Sequence, residues 1–286
     1  MSKSYIAIII VVVLLAGAAL AYELTRKGNT QKDSSTTATQ SSDTAQSPAT
    51  ASTVTESKKQ AATGTAQNAP TSSNQDEPPL LLKSIGVNLD YYDPATNKAG
   101  DFLFTKEKLQ FDRLFMGYGF VIPADVAQGG NAKSNPQPTF ILPLGTKVLA
   151  LVDGVVADIP TLYSNDFSVM VASSANSQWR YETEHVINPV VKKGDTVKAG
   201  QVVAEVSDYD KGSPAGYGIV EIGILKGGNP PQHICPFTYL DPTVKDDVFK
   251  KMTAFFKAWE GYISDPSLYD ESNATPGCLA TDPING

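Results

Sequence analysis

YETEHVINPVVKKGDTVKAGQVVAEV, residues 181–206, joins a strand-like segment carrying one of the chain's two histidines to a run with two tight turns. From Val190 onward apolar and polar residues alternate around Gly194-Asp195 and Ala199-Gly200. That is the pattern of short β-strands reversed at glycines, which accept backbone angles closed to other residues. The same pattern extends in both directions. Thr139–Leu142 reads as a strand, Pro143–Thr146 as a turn, and Lys147–Val152 and Val155–Ile159 as a hairpin closed by Asp153-Gly154. Phe167–Ala172, Trp179–Val186, Thr196–Lys198 and Gln201–Val206 continue the series, and Gly218–Leu225 alternates less cleanly, as a central strand does. Asp101–Pro123 predicts two or three further strands, and Ala124–Pro138, with Gly129-Gly130 and two prolines, predicts a loop. So many short strands, spaced 8 to 12 residues apart, predict an all-β sandwich or barrel.

One helix closes the domain. Asp241-Pro242-Thr243 supplies a cap and a proline suited to a first turn, and apolar residues at 244, 248, 249, 252, 255, 256, 259 and 262 form one stripe. Phe249, Phe255, Phe256 and Trp259 are expected to pack on the sheet.

The first 27 residues are of another kind. Tyr5–Tyr22 is an 18-residue run without a charge, near the lower limit for a helix crossing the ~30 Å hydrocarbon layer. It reads as an N-terminal transmembrane anchor, or as a signal peptide cleaved after Ala21, where Ala19-Leu20-Ala21 makes an A-x-A pattern. Either reading places the rest of the chain outside the cytoplasm, with residues 5–22 as the contact with the cell membrane. Residues 28–79, rich in Ser, Thr and Ala and without an aromatic, bury too little apolar area to fold and are expected to form a disordered linker with a reach of about 40 Å.

Six of the 23 basic and six of the 30 acidic residues precede Leu80, so the remaining domain keeps the chain's net charge of −7. Nucleic acid and anionic lipid surfaces need clustered Lys and Arg and are excluded as main partners. The two cysteines, Cys235 and Cys278, are disulfide candidates in an exported chain, a bridge that would tie the tail to the domain.

Five stretches between Pro143 and Pro242 carry a family resemblance. PLGTKVLALVDGVV (143–156), Thr183-Glu184-His185, VVKKGDTVKAGQVVAEV (190–206), GIVEIGI (218–224) and CPFTYLDP (235–242) stand in an order and at gaps that resemble the lysostaphin-type (M23) zinc peptidases. Those enzymes cut peptide bridges in bacterial cell walls on a duplicated-hybrid-motif β-fold. The resemblance implies a division into a β extension at 80–142, an M23-like core at 143–242, and a C-terminal helix and tail at 243–286. It also implies a site. The family's zinc is held by an H-x-x-x-D pair and the second histidine of an H-x-H pair, and two further histidines are catalytic. By the family spacing the first pair falls on Asn135 and Thr139 and the second on Tyr217 and Ile219, while His185 stands at a catalytic position.

Amide, hydroxyl, phenol and alkyl groups do not supply the imidazole and carboxylate donors that zinc needs. The resemblance therefore implies the fold and argues against the activity, with no metal and no cofactor. A non-catalytic module remains, binding cell-wall peptide or glycan, or an envelope protein, or regulating a wall hydrolase. Its expected groove is lined by Asn135, Thr139, Trp179, Tyr181, Tyr217 and Ile219 beside His185. Two alternatives stay open. One is a zinc metallopeptidase with relocated ligands, for which His233 and the carboxylates at 153, 166, 182, 184, 208, 210 and 221 are the available donors. The other is a periplasmic adaptor, which requires a helical hairpin that the 37 residues between Val156 and Gly194 do not show.

Overall fold

A computed structural model describes residues 76–127, 129–209 and 214–286. The apolar run 5–22 and all of the linker before residue 76 lie outside the described residues. Among the described residues no helix is long and apolar enough to cross a membrane.

The described chain is an antiparallel β domain closed by one long helix, as its strand periodicity predicts. Two short hairpins lie near its start, β1 (Lys98–Ala99) with β2 (Phe102–Leu103), and β4 (Val121–Ile122) with β5 (Lys133–Ser134). The second hairpin occupies part of the stretch expected to be a loop. Its strands are two residues each, too short for a period to register in sequence. The remaining strands form one sheet: β3 (Phe115–Met116), β6 (Thr139–Pro143), β7 (Lys147–Leu149), β8 (Gly154–Asp158), β9 (Phe167–Ala172), β10 (Trp179–Ile187), β11 (Thr196–Val197), β12 (Val202–Val206), β13 (Tyr217–Lys226), β14 (Gln232–Ile234) and β15 (Ile284–Asn285). β13 is central, flanked by β10 on one side and by β6 and β14 on the other. The expected boundary between extension and core, at residues 142 and 143, runs through β6.

One expected pairing is replaced. β7 and β8 do not form a hairpin: β7 pairs with β12, and β8 pairs with β9 and β11. The two turns that looked like hairpin ends instead dock on each other. The Ala150 amide donates to the Gln201 carbonyl at 2.8 Å, the Gly200 amide returns to Ala150 at 2.9 Å, and the Asp153 carboxylate accepts from the Ala199 amide at 3.1 Å. That amide and Lys83 hold the Asp153 carboxyl below the usual carboxylate range. Gly154 starts β8 with no room for a side chain, since a Cβ there would lie 2.5 Å from the Ala172 carbonyl of β9.

The helix α1 (Pro242–Ile263) begins where the Asp241 carboxylate accepts from the Thr243 amide at 2.9 Å and ends at Ser264 in the left-handed region, φ 66°. Its buried stripe is Met252, Phe255, Phe256 and Trp259, while Phe249 is only half-buried. The stripe meets aromatic rings from β2 and β3 and the segments after them: Phe255 packs on Phe102 with ring centres 4.6 Å apart, Trp259 on Phe104 at 5.2 Å and Phe256 on Phe115 at 5.7 Å. Truncating one such buried ring costs about 3–5 kcal/mol. The tail returns to the sheet through a Cys235–Cys278 disulfide and through β15 on β14. The buried Tyr118 hydroxyl lies 2.7 Å from the Asp282 carbonyl and 3.0 Å from that of His233.

Candidate functional site

A cavity of about 650 Å³ opens over one face of the sheet, between β13 and the β4–β5 hairpin. Its floor follows from strand register. Glu221 of β13 is opposed by Thr139 of β6 and by Glu184 of β10, so the three share one row across the sheet. One row further on, Gly223 is opposed by Glu182. A Cβ at Gly223 would lie 3.1 Å from Gln137 Nε2; without it, the Gln137 side chain lies over β13 and reaches the Glu182 carboxyl at 3.4 Å.

The residues standing at the resemblance's first ligand pair touch one another. Asn135 Nδ2 donates to Thr139 Oγ1 at 3.1 Å, and that hydroxyl donates to Glu221 Oε1 at 3.0 Å. The third member of the trio is thus Glu221. Ile219, where the resemblance places the third ligand, stands two residues before the side chain that meets Thr139. Ile219 lines the cavity opposite Ile141, whereas Tyr217 pairs with Pro143 and turns its hydroxyl to the Leu103 carbonyl at 3.1 Å.

His185 owes its place to a bulge. Along a regular strand alternate residues face opposite sides, yet Glu184 and His185 both line the cavity. The backbone at His185 takes φ 56°, and the register of β10 against β9 shifts between Thr183 and Val186. An extra residue inserted there turns the histidine to the face of its neighbour. The imidazole is buried, with Nδ1 2.9 Å from Asp166 Oδ2, and Ser164 donates to the other Asp166 oxygen. With Nδ1 engaged, Nε2 is the nitrogen left for a molecule in the cavity. Tyr209 stacks on the imidazole at 4.2 Å and shares a hydroxyl hydrogen bond of 2.7 Å with Tyr163.

The electrostatics are dominated by carboxylates. Burial, and then the charge of Glu184, raise the Glu221 carboxyl to about 7. The same two causes in the same order raise Glu182, whose oxygens meet Ser168 Oγ at 2.5 Å and Gln137. Like charges directly opposite across a strand pair repel. Proton uptake relieves that repulsion at neutral pH.

Of the expected groove residues, Asn135, Thr139, Ile219 and His185 come together at the cavity, and Trp179, Tyr181 and Tyr217 do not line it. Tyr181 is buried on β10 between β9 and β13, its hydroxyl accepting from the Leu80 amide at 2.7 Å. Trp179 lies at the far end of β10 under Lys226. Aromatic character suggested these three, but the face each occupies depends on register. The aromatic neighbours of His185 are Tyr163 and Tyr209 instead. Asp166, on the approach to β9 and 19 residues before His185, has no spacing signal. Glu182 and Glu184 do: at i and i+2 on a strand they share a face.

No family model matches this chain, and no curated protein does. Solved structures are similar to parts of it. The catalytic domain of the prophage-encoded M23 protein EnpA from Enterococcus faecalis matches at 25% identity, covering 37% of this chain and 79% of that one, with a TM-score of 0.31. The catalytic domain of lysostaphin from Staphylococcus simulans matches at 20% identity over 45% of this chain and 86% of that one, with a TM-score of 0.31. A SpoIIIAH and SpoIIQ complex supplies a chain 13% identical, covering 56% of this chain and 96% of its own, with a TM-score of 0.32.

At the positions where the resemblance calls for ligands stand the Asn135 amide, the Thr139 hydroxyl and the Ile219 alkyl chain, none of which is an imidazole or carboxylate donor. Among the described residues no group of three or more His, Cys, Asp or Glu side chains is arranged to hold a metal ion. His233, the donor considered for a relocated site, lines the cavity through a strand on the other side of β13 from His185.

Proposed function

We propose that this chain is a non-catalytic, M23-like module of the cell envelope, exported and held at the membrane by residues 5–22. In this reading the cavity binds a cell-wall peptide or glycan, or a segment of an envelope protein whose wall hydrolase it regulates. One observation carries it: Asn135 and Thr139, at the place where the resemblance calls for the first pair of metal ligands, are hydrogen-bonded to one another and, through Thr139, to Glu221. A site closed in this way keeps its concave shape and loses the means to activate water. The acidic domain and the 52-residue linker (28–79) agree with a tethered binder that avoids anionic partners.

The test is the metal content of the purified full chain, with peptidoglycan fragments as ligand. Zinc below about 0.1 per chain after dialysis, together with saturable binding of soluble muramyl peptides, is the expected outcome. Stoichiometric zinc that is lost in His185→Ala would overturn it in favour of a metallopeptidase with relocated ligands.

A further inference from the structure

The cavity floor carries three glutamates, while Lys133 is its one basic aliphatic side chain among the described lining residues. Glu182, Glu184 and His185 face the cavity from β10, and Glu221 faces it from β13. Lys133 of β5, Tyr163, Tyr209 and His233 of β14 are the other titratable groups on its walls, with Asp166 behind His185. Carboxylates set among aromatic rings are the surroundings that hold an organic ammonium group.

A second observation comes from the opposite end. His233 is 4% exposed, lines the same cavity, and its Nδ1 has no hydrogen-bond partner among the described residues. Burial keeps this imidazole neutral, its pKa lowered to about 4, so it presents one donor and one acceptor nitrogen. A buried polar atom left without a partner costs about 1–3 kcal/mol. A ligand amide reaching that nitrogen would remove the cost. His233 is opposed by Leu225, four residues along β13 from Glu221, about 13 Å at ~3.3 Å per residue. An extended peptide of about four residues spans that distance.

We propose that the cavity is a binding site for a primary ammonium group on a peptide-like ligand, seated between Glu184 and Glu221 with the chain running toward His233. The proposal rests on the reading of this domain as a binding module and names what the module recognises. It has a thermodynamic signature. In the empty cavity burial, and then the charge of Glu184, hold the proton on Glu221 to about pH 7, against the smaller opposing effects of His185, Thr139 and Lys133. A cation placed between the two favours the ionised form, so binding releases a proton to solvent.

Isothermal titration of the full chain with Nα-acetyl-lysine amide, whose side-chain amine stays charged from pH 6 to 8, is compared with the neutral Nα,Nε-diacetyl form. Titrations in phosphate and in Tris count the protons released. Expected are at least tenfold tighter binding of the charged probe, proton release, and affinity rising roughly five- to tenfold from pH 6 to pH 8. Folded Glu184→Gln and Glu221→Gln variants should each lose most of the preference. Equal binding of the two probes, binding without proton release, or a folded Glu184→Gln that keeps the full preference overturns the ammonium site. If muramyl peptides bind and the lysine probe does not, the ammonium site falls and the binding module stands; if neither binds, both fall.

Discussion

His185 Nδ1 lies 2.9 Å from Asp166 Oδ2, and both side chains are almost wholly buried, so the one histidine of the cleft floor is oriented by a carboxylate from the approach to β9. Its ring is clamped from the other side by Tyr209. An orienting carboxylate fixes which ring nitrogen faces a ligand.

Asp166→Ala leaves the buried imidazole without its partner and is expected to destabilise the domain by about 2–3 kcal/mol. Asp166→Asn keeps an acceptor oxygen and should cost about half as much. Denaturant unfolding of the two variants checks the order, and equal losses would show that the carboxylate acts through packing alone.

Stability should fall as pH rises through neutrality. The folded Glu221 carboxyl titrates at about 7 against an ordinary 4.5, and Glu182 is shifted in the same direction. A raised carboxyl pKa means that the folded state binds the proton more tightly. The resulting stability is complete below about pH 4.5 and is lost as pH climbs through 7, an effect of roughly 1–3 kcal/mol for Glu221. Thermal unfolding between pH 5 and 8 measures it, and Glu221→Gln should flatten the profile.

The Asn135–Thr139–Glu221 chain makes a direct prediction about metal. Its hydrogen bonds of 3.1 and 3.0 Å show that the three side chains converge. Replacing them together, Asn135→His, Thr139→Asp and Glu221→His, installs two imidazoles and a carboxylate at one point. The triple variant is expected to retain one zinc per chain through dialysis, at least a hundredfold tighter than the parent chain. Elemental analysis reads the result.

Removing the Cys235–Cys278 bridge opens a loop of 43 residues. Constraint of the unfolded chain by a loop of that length is worth about 4 kcal/mol in the chain-entropy account. The Cys235→Ser, Cys278→Ser double variant should lower stability by about 2–4 kcal/mol and raise amide exchange at β15 first, since Ile284 and Asn285 pair only with β14. Mass spectrometry of exchanging peptides follows that order.

Strand positions were legible wherever one face is buried and the other wet. Phe167–Ala172 and Gly218–Leu225 match β9 and β13 to within a residue, and the helix stripe matches α1 in its second half, where Glu260 is also buried and accepts from the Tyr269 amide at 2.8 Å, while Val244, Val248 and Phe249 are half-buried. Partner choice was not legible, because an alternating segment carries no mark of which neighbour it joins, and β7 and β8 take partners other than each other. The site was half legible. Asn135, Thr139 and His185 come from the family resemblance, whereas Glu221 meets Thr139 through cross-strand register and a bulge turns His185 to the cavity. Strand period does not encode either.

The exchange of partners between the two β pairs also orders the folding of the chain. β7 closes on β12, across a separation of 58 residues between Lys147 and Glu205, and β8 closes on β11. Neither edge is complete until Thr196–Val206 has been made, so a chain halted at Ile187 holds two open edges and no partner for either. Long-range pairing of this kind makes folding slow. It also leaves the unfinished domain with unpaired strand edges, which invite association with other chains.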